Sequence, residues 1–199
     1  MRILIVGGSG TVGQAAAKEL AKRHEIVRAG RSSGDFTVDV MSEDSVKAMY
    51  AKLGQVDAIV TCVGHVHFGP VATMTPEQFR KGLNDKLMGQ VNLVLLGMNN
   101  VNDNGSFTLT SGILDRDPVR QGANAAAVNG AIGAFVKGAA IEMPRGIRIN
   151  AVSPGLLEDS AVKYDGFFPG HEPVTSARVG LAYAKSVDGA LTGQVISVG

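Results

Sequence analysis

Three glycines, Gly7, Gly10 and Gly13, follow the apolar run at residues 3–6 and lead into a run of strong helix formers at 14–21 (QAAAKELA). A continuous apolar run is the pattern of a buried parallel strand, so the glycines stand at a strand-to-helix junction. The chemistry that suits this spacing is phosphate binding. Gly7 permits a tight turn, Gly10 lets a pyrophosphate approach the backbone, Gly13 packs helix on strand, and the helix N-terminus offers N–H groups to the anion. A plain glycine-rich turn has the same spacing; the flanking strand and helix favour a nucleotide.

The next strand decides which nucleotide. An acidic residue about twenty positions after the glycines binds the ribose hydroxyls of NAD, whereas an arginine nearby accommodates the 2′-phosphate of NADP. Here the second strand, residues 25–29, runs into Gly30, Arg31, Ser32 and Ser33 with no carboxylate. Arg31 pairs with a phosphate as a planar fork, the serines donate to its oxygens, and Arg28 adds charge if it faces the same way. The alternative is that Arg31 is a solvated loop charge. NADP(H) is expected over NAD(H). His65 and His67 follow the fourth strand in GHVHFG, at the end of the sheet where ligands bind. Two histidines without a cysteine or carboxylate cluster make a poor metal site, so no metal is expected, and a pocket-lining or proton-donating histidine is the open alternative.

These groups must be positioned by a single domain. A chain of 199 residues, 45% hydrophobic, has room for a substantial core. The formal net charge of +1 supplies no field for nucleic acid or a membrane surface. Cys62 is the single cysteine and lies in an apolar run, which reads as a reduced, buried thiol. The first apolar run is short and leads straight into glycines, unlike a signal peptide. No stretch reaches the roughly twenty apolar residues of a membrane span. The expected location is the cytoplasm.

Apolar runs alternate with helical segments along the chain. Residues 36–40 form a third strand, and Ser42 caps a helix to about 53. Residues 56–64 (VDAIVTCVG) form a fourth strand, and Thr75 and Pro76 open a long helix running towards 100. A strand at 107–110, a helix at 123–142, a strand at 147–152, a helix at 174–186 and a strand at 194–198 complete the series. This alternation predicts an α/β fold: a single-domain, Rossmann-type, doubly wound parallel sheet of about seven strands. Ala126, Gly130, Ala134 and Gly138 recur every four residues on the helix at 123–142. Each glycine lowers helix stability by about 1 kcal/mol, a cost offset by close approach of either a second copy or the chain's own sheet.

The order of these motifs resembles the short-chain dehydrogenase/reductase family over nearly the whole chain. VGGSGTVG, residues 6–13, is similar to the family's TGxxGxxG or TGxxxGxG turn, which implies cofactor contacts from Gly7, Ser9, Gly10, Thr11, Val12 and Gly13. Asp39 and Val40 resemble the family's acidic position at the third strand, which contacts adenine. RGIRINAVSPG, residues 145–155, is close to the family's IRVNAVSPG, whose turn, here Pro154 and Gly155, lines the nicotinamide; LTGQVISV resembles the closing strand. Arg31, Ser32, Val63 and Gly64 complete the expected cofactor set. The resemblance further implies a small carbonyl or alcohol substrate, a substrate-covering loop at 156–172, and a homodimer or homotetramer built through the two long helices. Within that loop Tyr164, Phe167 and Phe168 either line an apolar pocket or pack the flap.

The chain departs from the family in its chemistry. Ser111 matches the family's serine, but Ala125 stands where its tyrosine belongs and Asn129 where its lysine belongs. Between Ser111 and Pro154 there is no tyrosine, and the only lysine is Lys137. The family's helix asparagine falls on Lys86, so a cation has moved across the site, unless Lys86 is a solvated helix lysine. Positioning alone supplies about 7–11 kcal/mol of a barrier, and a missing general acid costs about 10²–10⁴ in rate. Ser111, Lys86 and Asn129 are therefore the catalytic candidates, with Ser111 a donor to an oxyanion and a desolvated Lys86 the proton source. Two readings result: an NADP(H)-dependent reductase with a rearranged site, or a catalytically silent NADP(H)-binding protein serving as cofactor sensor or assembly partner.

Overall fold

A computed structural model of the chain describes residues 1–164 and 166–199. Seven strands form one sheet: β1 (Arg2–Val6), β2 (Glu25–Gly30), β3 (Phe36–Thr37), β4 (Val56–Thr61), β5 (Val101–Thr110), β6 (Arg148–Pro154) and β7 (Val195–Val198). Their order is β3-β2-β1-β4-β5-β6-β7 and every pairing is parallel. The chain leaves β1 in one direction and returns to its other side at β4. The crevice beyond the ends of these two strands is therefore the switch point where ligands bind.

Alternation along β1 divides the core. Ile3 and Ile5 pack with α1 (Thr11–Leu20) and α7 (Ser176–Asp188) on one face. Leu4 and Val6 join α2 (Glu43–Leu53), α4 (Gly89–Gly97) and α5 (Ala123–Ala140) on the other. Burial on both faces is what makes β1 read as an unbroken apolar run. The predicted caps form: Ser42 Oγ accepts from Ser45 N, and Thr75 makes a reciprocal capping box with Gln78. Among the described residues no helix is long and apolar enough to cross a membrane.

Several boundaries differ from expectation. The helix expected to run from Thr75 towards 100 is broken into α3 (Pro76–Gly82), a widened π-helical segment (Leu83–Met88), α4, and a terminal 3-10 turn (Met98–Asn100). The buried side chain of Asn124 is responsible at the first break: its Nδ2 donates to the Phe79 carbonyl at 2.7 Å. A side chain that takes a carbonyl from the ladder is a recognised cause of helix distortion. β4 stops at Thr61, so Val63 and Gly64 lie in the loop beyond it, and β3 is only two residues long. β5 begins at Val101, well before the expected start, across an irregularity in its pairing with β4. A short helix, α6 (Glu158–Ala161), precedes α7, which starts at Ser176 because the Thr175 side chain accepts from Arg178 N.

A buried polar knot ties the middle of the sheet to helices on both faces. Thr61 Oγ1 and Thr110 N both donate to Gln90 Oε1, at 2.5 and 2.8 Å, and Gln90 Nε2 donates to Thr110 O at 2.9 Å. Thr110 Oγ1 donates to Thr61 O at 2.6 Å and accepts from Tyr183 Oη at 2.6 Å. Gln90→Leu keeps similar bulk but strands a buried hydroxyl and a buried N–H. It is expected to cost about 2–4 kcal/mol, read as a lowered midpoint in urea denaturation.

Candidate active site

The glycine turn joins β1 to α1. A Cβ on Gly13 would lie 2.1 Å from the Gly7 carbonyl oxygen, so this position tolerates only glycine if helix and turn are to pack. A Cβ on Gly10 would meet nothing closer than 3.5 Å. Nothing in the chain itself requires a bare backbone there, and its value is to a ligand lying over it. Gly10 is also the N-cap of α1, with no side-chain cap and no acidic residue in the first turn. The first N–H groups of the helix are thus available to an anion, and the cradle fits a dinucleotide pyrophosphate.

Two grooves leave this turn. In one, Arg31, Val38, Val40 and Gly64 share the lining with Gly7, Ser9 and Gly10. In the other, Arg28, Lys18 and Ser33 gather around Gly8 and Ser9. The stem of Arg28 covers Gly8, whose Cβ would lie 3.2 Å from Arg28 Cγ. Arg28 thus faces the glycine turn, so two arginines rather than one border the grooves that leave it. Of the two serines, Ser33 is the one against the turn, with Oγ 3.4 Å from Ser9 Oγ, while Ser32 lines neither groove. The Asp39 carboxylate accepts from Met41 N at 3.1 Å, and its own N–H donates to Ser45 Oγ.

The main cleft, about 680 Å³, opens from the same turn and is lined by Thr11, Val12, Val63, Gly64, Pro154 and Gly155 at one end. Lys86, Ser111, Ala125 and Asn129 form its base. Lys86 Nζ donates to the Ser111 carbonyl and to Asn129 Oδ1, each at 2.8 Å, so Lys86 is not a solvated helix lysine. An ammonium has three N–H donors, and the third has no partner among the described residues. Burial pushes the Lys86 ammonium down to about 8, against the opposing attraction of Asp115 and Cys62. Ser111 Oγ carries one proton and has two acceptors, Asn129 O at 2.9 Å and Asp115 Oδ2 at 3.1 Å. The hydroxyl is thereby engaged with the protein. Its expected donation to an oxyanion requires it to give up one of these bonds.

The widened helical segment places Lys86. Gly64 approaches it so closely that a Cβ there would lie 2.3 Å from Lys86 Cα, and Gly64 also has a φ of +110°. π-Helical turns occur frequently at functional positions. Residues not singled out in the sequence complete the surroundings. Arg116 reaches Asp115 Oδ1 at 3.0 Å and Ser153 Oγ at 2.6 Å, which fixes the carboxylate that faces Ser111. Asn124 Oδ1 accepts from His67 N at 2.9 Å. His65 pairs with Asp85 at 3.0 Å and stays exposed, so the two histidines do not act as a unit.

The mouth of the cleft is aromatic. Phe68 from the loop after β4 meets Tyr164 and Phe167, and Tyr164 meets Phe168. Phe68, Tyr164 and Phe168 line the cleft; Phe167 packs on Phe68. The segment that carries the latter rings starts and ends at one place, where Leu157 bridges Val174 as an isolated parallel pair.

A family model described as enoyl-(acyl carrier protein) reductase matches residues 7–182, and the chain belongs to the short-chain dehydrogenase/reductase family. Among solved structures it is similar to the protein lin1944 from Listeria innocua, at 53% identity over 100% of both chains with a TM-score of 0.98. It is also similar to a small-chain dehydrogenase in complex with NADPH, at 28% identity over 100% of this chain and 96% of that one, TM-score 0.87. No match is found among curated proteins.

The bonding of Lys86 predicts its titration. With ¹³C-labelled lysines, NMR is expected to show one lysine deprotonating near pH 8, and Lys86→Arg is expected to remove that signal. A wild-type spectrum in which no lysine deprotonates near pH 8 refutes the enclosed geometry.

Proposed function

We propose that the protein is an NADP(H)-dependent oxidoreductase interconverting a small carbonyl compound and its alcohol, with Lys86 as the proton source. The observation that carries this reading is the Lys86 ammonium, fixed by Ser111 O and Asn129 Oδ1 in a cleft continuous with the glycine turn. The nicotinamide, when bound, supplies a hydride to the carbonyl carbon. The third N–H of Lys86 meets the carbonyl oxygen and gives it a proton, leaving a neutral amine and an alcohol. That amine still has two N–H groups for the same two acceptors, so the nitrogen need not move when its charge is lost. A value of about 8 keeps it mostly protonated at neutral pH and close to the range in which proton transfer is efficient. Ser111 enters through its backbone carbonyl, and Asn129 through its amide oxygen.

Gly7, Ser9, Gly10, Thr11, Val12 and Gly13 would hold the pyrophosphate, Val63, Gly64, Pro154 and Gly155 the nicotinamide half, and Val40 with Asp39 the adenine side. Arg31 would take the 2′-phosphate, aided by Arg28 from the adjoining groove. The NADPH-bound relative supports this choice.

The decisive measurement is NADPH consumption with a panel of aldehydes, ketones and quinones. Turnover is expected, with Lys86→Ala reducing it by about 10²-fold or more while NADPH still binds, and with the rate falling as pH rises through about 8. Arg31→Glu is expected to erode the preference for NADPH over NADH. Tight NADPH binding with no turnover on the panel would instead favour the silent cofactor-binding reading, which the buried Ala125 at the tyrosine position supports. If neither nucleotide binds, both readings fail.

The same proposal includes a second copy of the chain against α5. Gly130, Ala134 and Gly138 are exposed, and a Cβ at Gly130 or Gly138 would meet open space, so this small-residue face does not pack on the chain's own sheet. Exposed Leu95 and Ile141 support the same placement. Sedimentation velocity is expected to give a dimer or tetramer and Gly130→Arg to shift it towards monomer; a wild-type monomer at high concentration would count against the contact.

A further inference from the structure

Beyond Lys86 the cleft is walled by rings. Phe68 stands edge-to-face with Phe167 at 5.7 Å and tilted to Tyr164 at 6.3 Å. Tyr164 meets Phe168 edge-to-face at 6.0 Å, and Phe168 meets His171 at 5.3 Å. These separations lie in the range of about 4.5–7 Å in which aromatic pairs attract. Rings that served only to anchor the segment would turn inward on one another, yet Phe68, Tyr164 and Phe168 all keep surface on the cavity.

Charge is handled differently. Among the described residues the acidic and basic side chains on this cleft are Lys86, His65 and Asp159. Lys86 uses two donors on Ser111 and Asn129, His65 pairs with Asp85, and Asp159 accepts from Ser176 Oγ at 2.5 Å. Among the described residues that line the cleft, these partners leave no unpaired cation at the mouth to neutralise a carboxylate or phosphate on an incoming molecule. At the base, the third N–H of Lys86 can donate to a carbonyl oxygen, and Ala125 leaves room beside it. We infer that the outer cleft selects a neutral, flat aromatic carbonyl compound, its ring among Phe68, Tyr164 and Phe168 and its oxygen towards Lys86. The inference rests on the oxidoreductase reading for the orientation of the oxygen, and on the rings and the charges lining the cleft for the selectivity.

Calorimetric titration of the protein, with and without NADPH, against acetophenone, cyclohexyl methyl ketone and 4-acetylbenzoate tests it. Each ring contact is worth about two- to tenfold in affinity, so acetophenone is expected to bind about fivefold or more tighter than its saturated counterpart, and 4-acetylbenzoate more weakly than acetophenone. Phe68→Leu and Phe168→Leu are each expected to shrink the first gap without changing NADPH affinity. Equal binding of the two neutral ketones, or tightest binding of the carboxylate, overturns the inference. Selective binding of acetophenone without NADPH consumption upholds it and sinks the oxidoreductase reading. Reduction of both neutral ketones with equal kcat/KM does the reverse.

Discussion

An ammonium group enclosed between two carbonyl oxygens constrains nearly everything near the cleft. Taking a charge out of water costs several kcal/mol, which is recovered only with good geometry and full hydrogen bonding. Lys86 has the geometry and two of its three bonds, and its nitrogen reaches Ser111 O and Asn129 Oδ1 from a helix that must widen to carry it. The widened segment presses on the loop after β4, so Gly64 can bear no side chain. It also needs a carbonyl removed from the helical ladder, and Asn124, itself fully buried, supplies the competing donor. Each of these residues is accounted for by the position of a single nitrogen atom.

The acceptors would be useless if they moved. Ser111 N donates to Val152 O at 2.9 Å, so the Ser111 peptide is an extension of the β5–β6 ladder. Immediately before it, Thr110 is fixed through its backbone and hydroxyl by Gln90, Thr61 and Tyr183. Burial in this region pushes the Cys62 thiol up to about 11, which keeps it protonated and uncharged at neutral pH. The site therefore sits on a rigid polar base while its mouth is built from loops.

What the sequence made legible was local or periodic. The apolar run before Gly7, the helix formers after Gly13, the Thr75 cap and the alternation of segments all depend on neighbours within a few residues, and they yielded the sheet and its class. Lys86 and Asn129 could also be singled out, because each occupies a recognisable place in a motif, and the structure brings them into hydrogen-bonding contact. The break in the helix after Gly82 was not, since its cause, Asn124, lies 45 residues from the carbonyl it takes. The same holds for Phe68, whose ring partners arrive from the far end of the chain, and for Arg116, which bridges Asp115 to Ser153 across 37 residues. The direction of the small-residue face on α5 was left open because spacing identifies a stripe but not its bearing.

The Leu157–Val174 bridge has a consequence for how such a molecule diversifies. Val174 N donates to Leu156 O at 2.7 Å and Glu158 N to Val174 O at 3.0 Å, so the two ends of the intervening segment meet at one neck. Closing a loop grows costlier only slowly with its length, by about 0.6 kcal/mol per doubling. Residues can thus be inserted, deleted or exchanged beyond the neck without disturbing β6 or α7. The chain has in effect a modular tip, in which the aromatic wall can change while the Lys86 end of the cleft stays as it is.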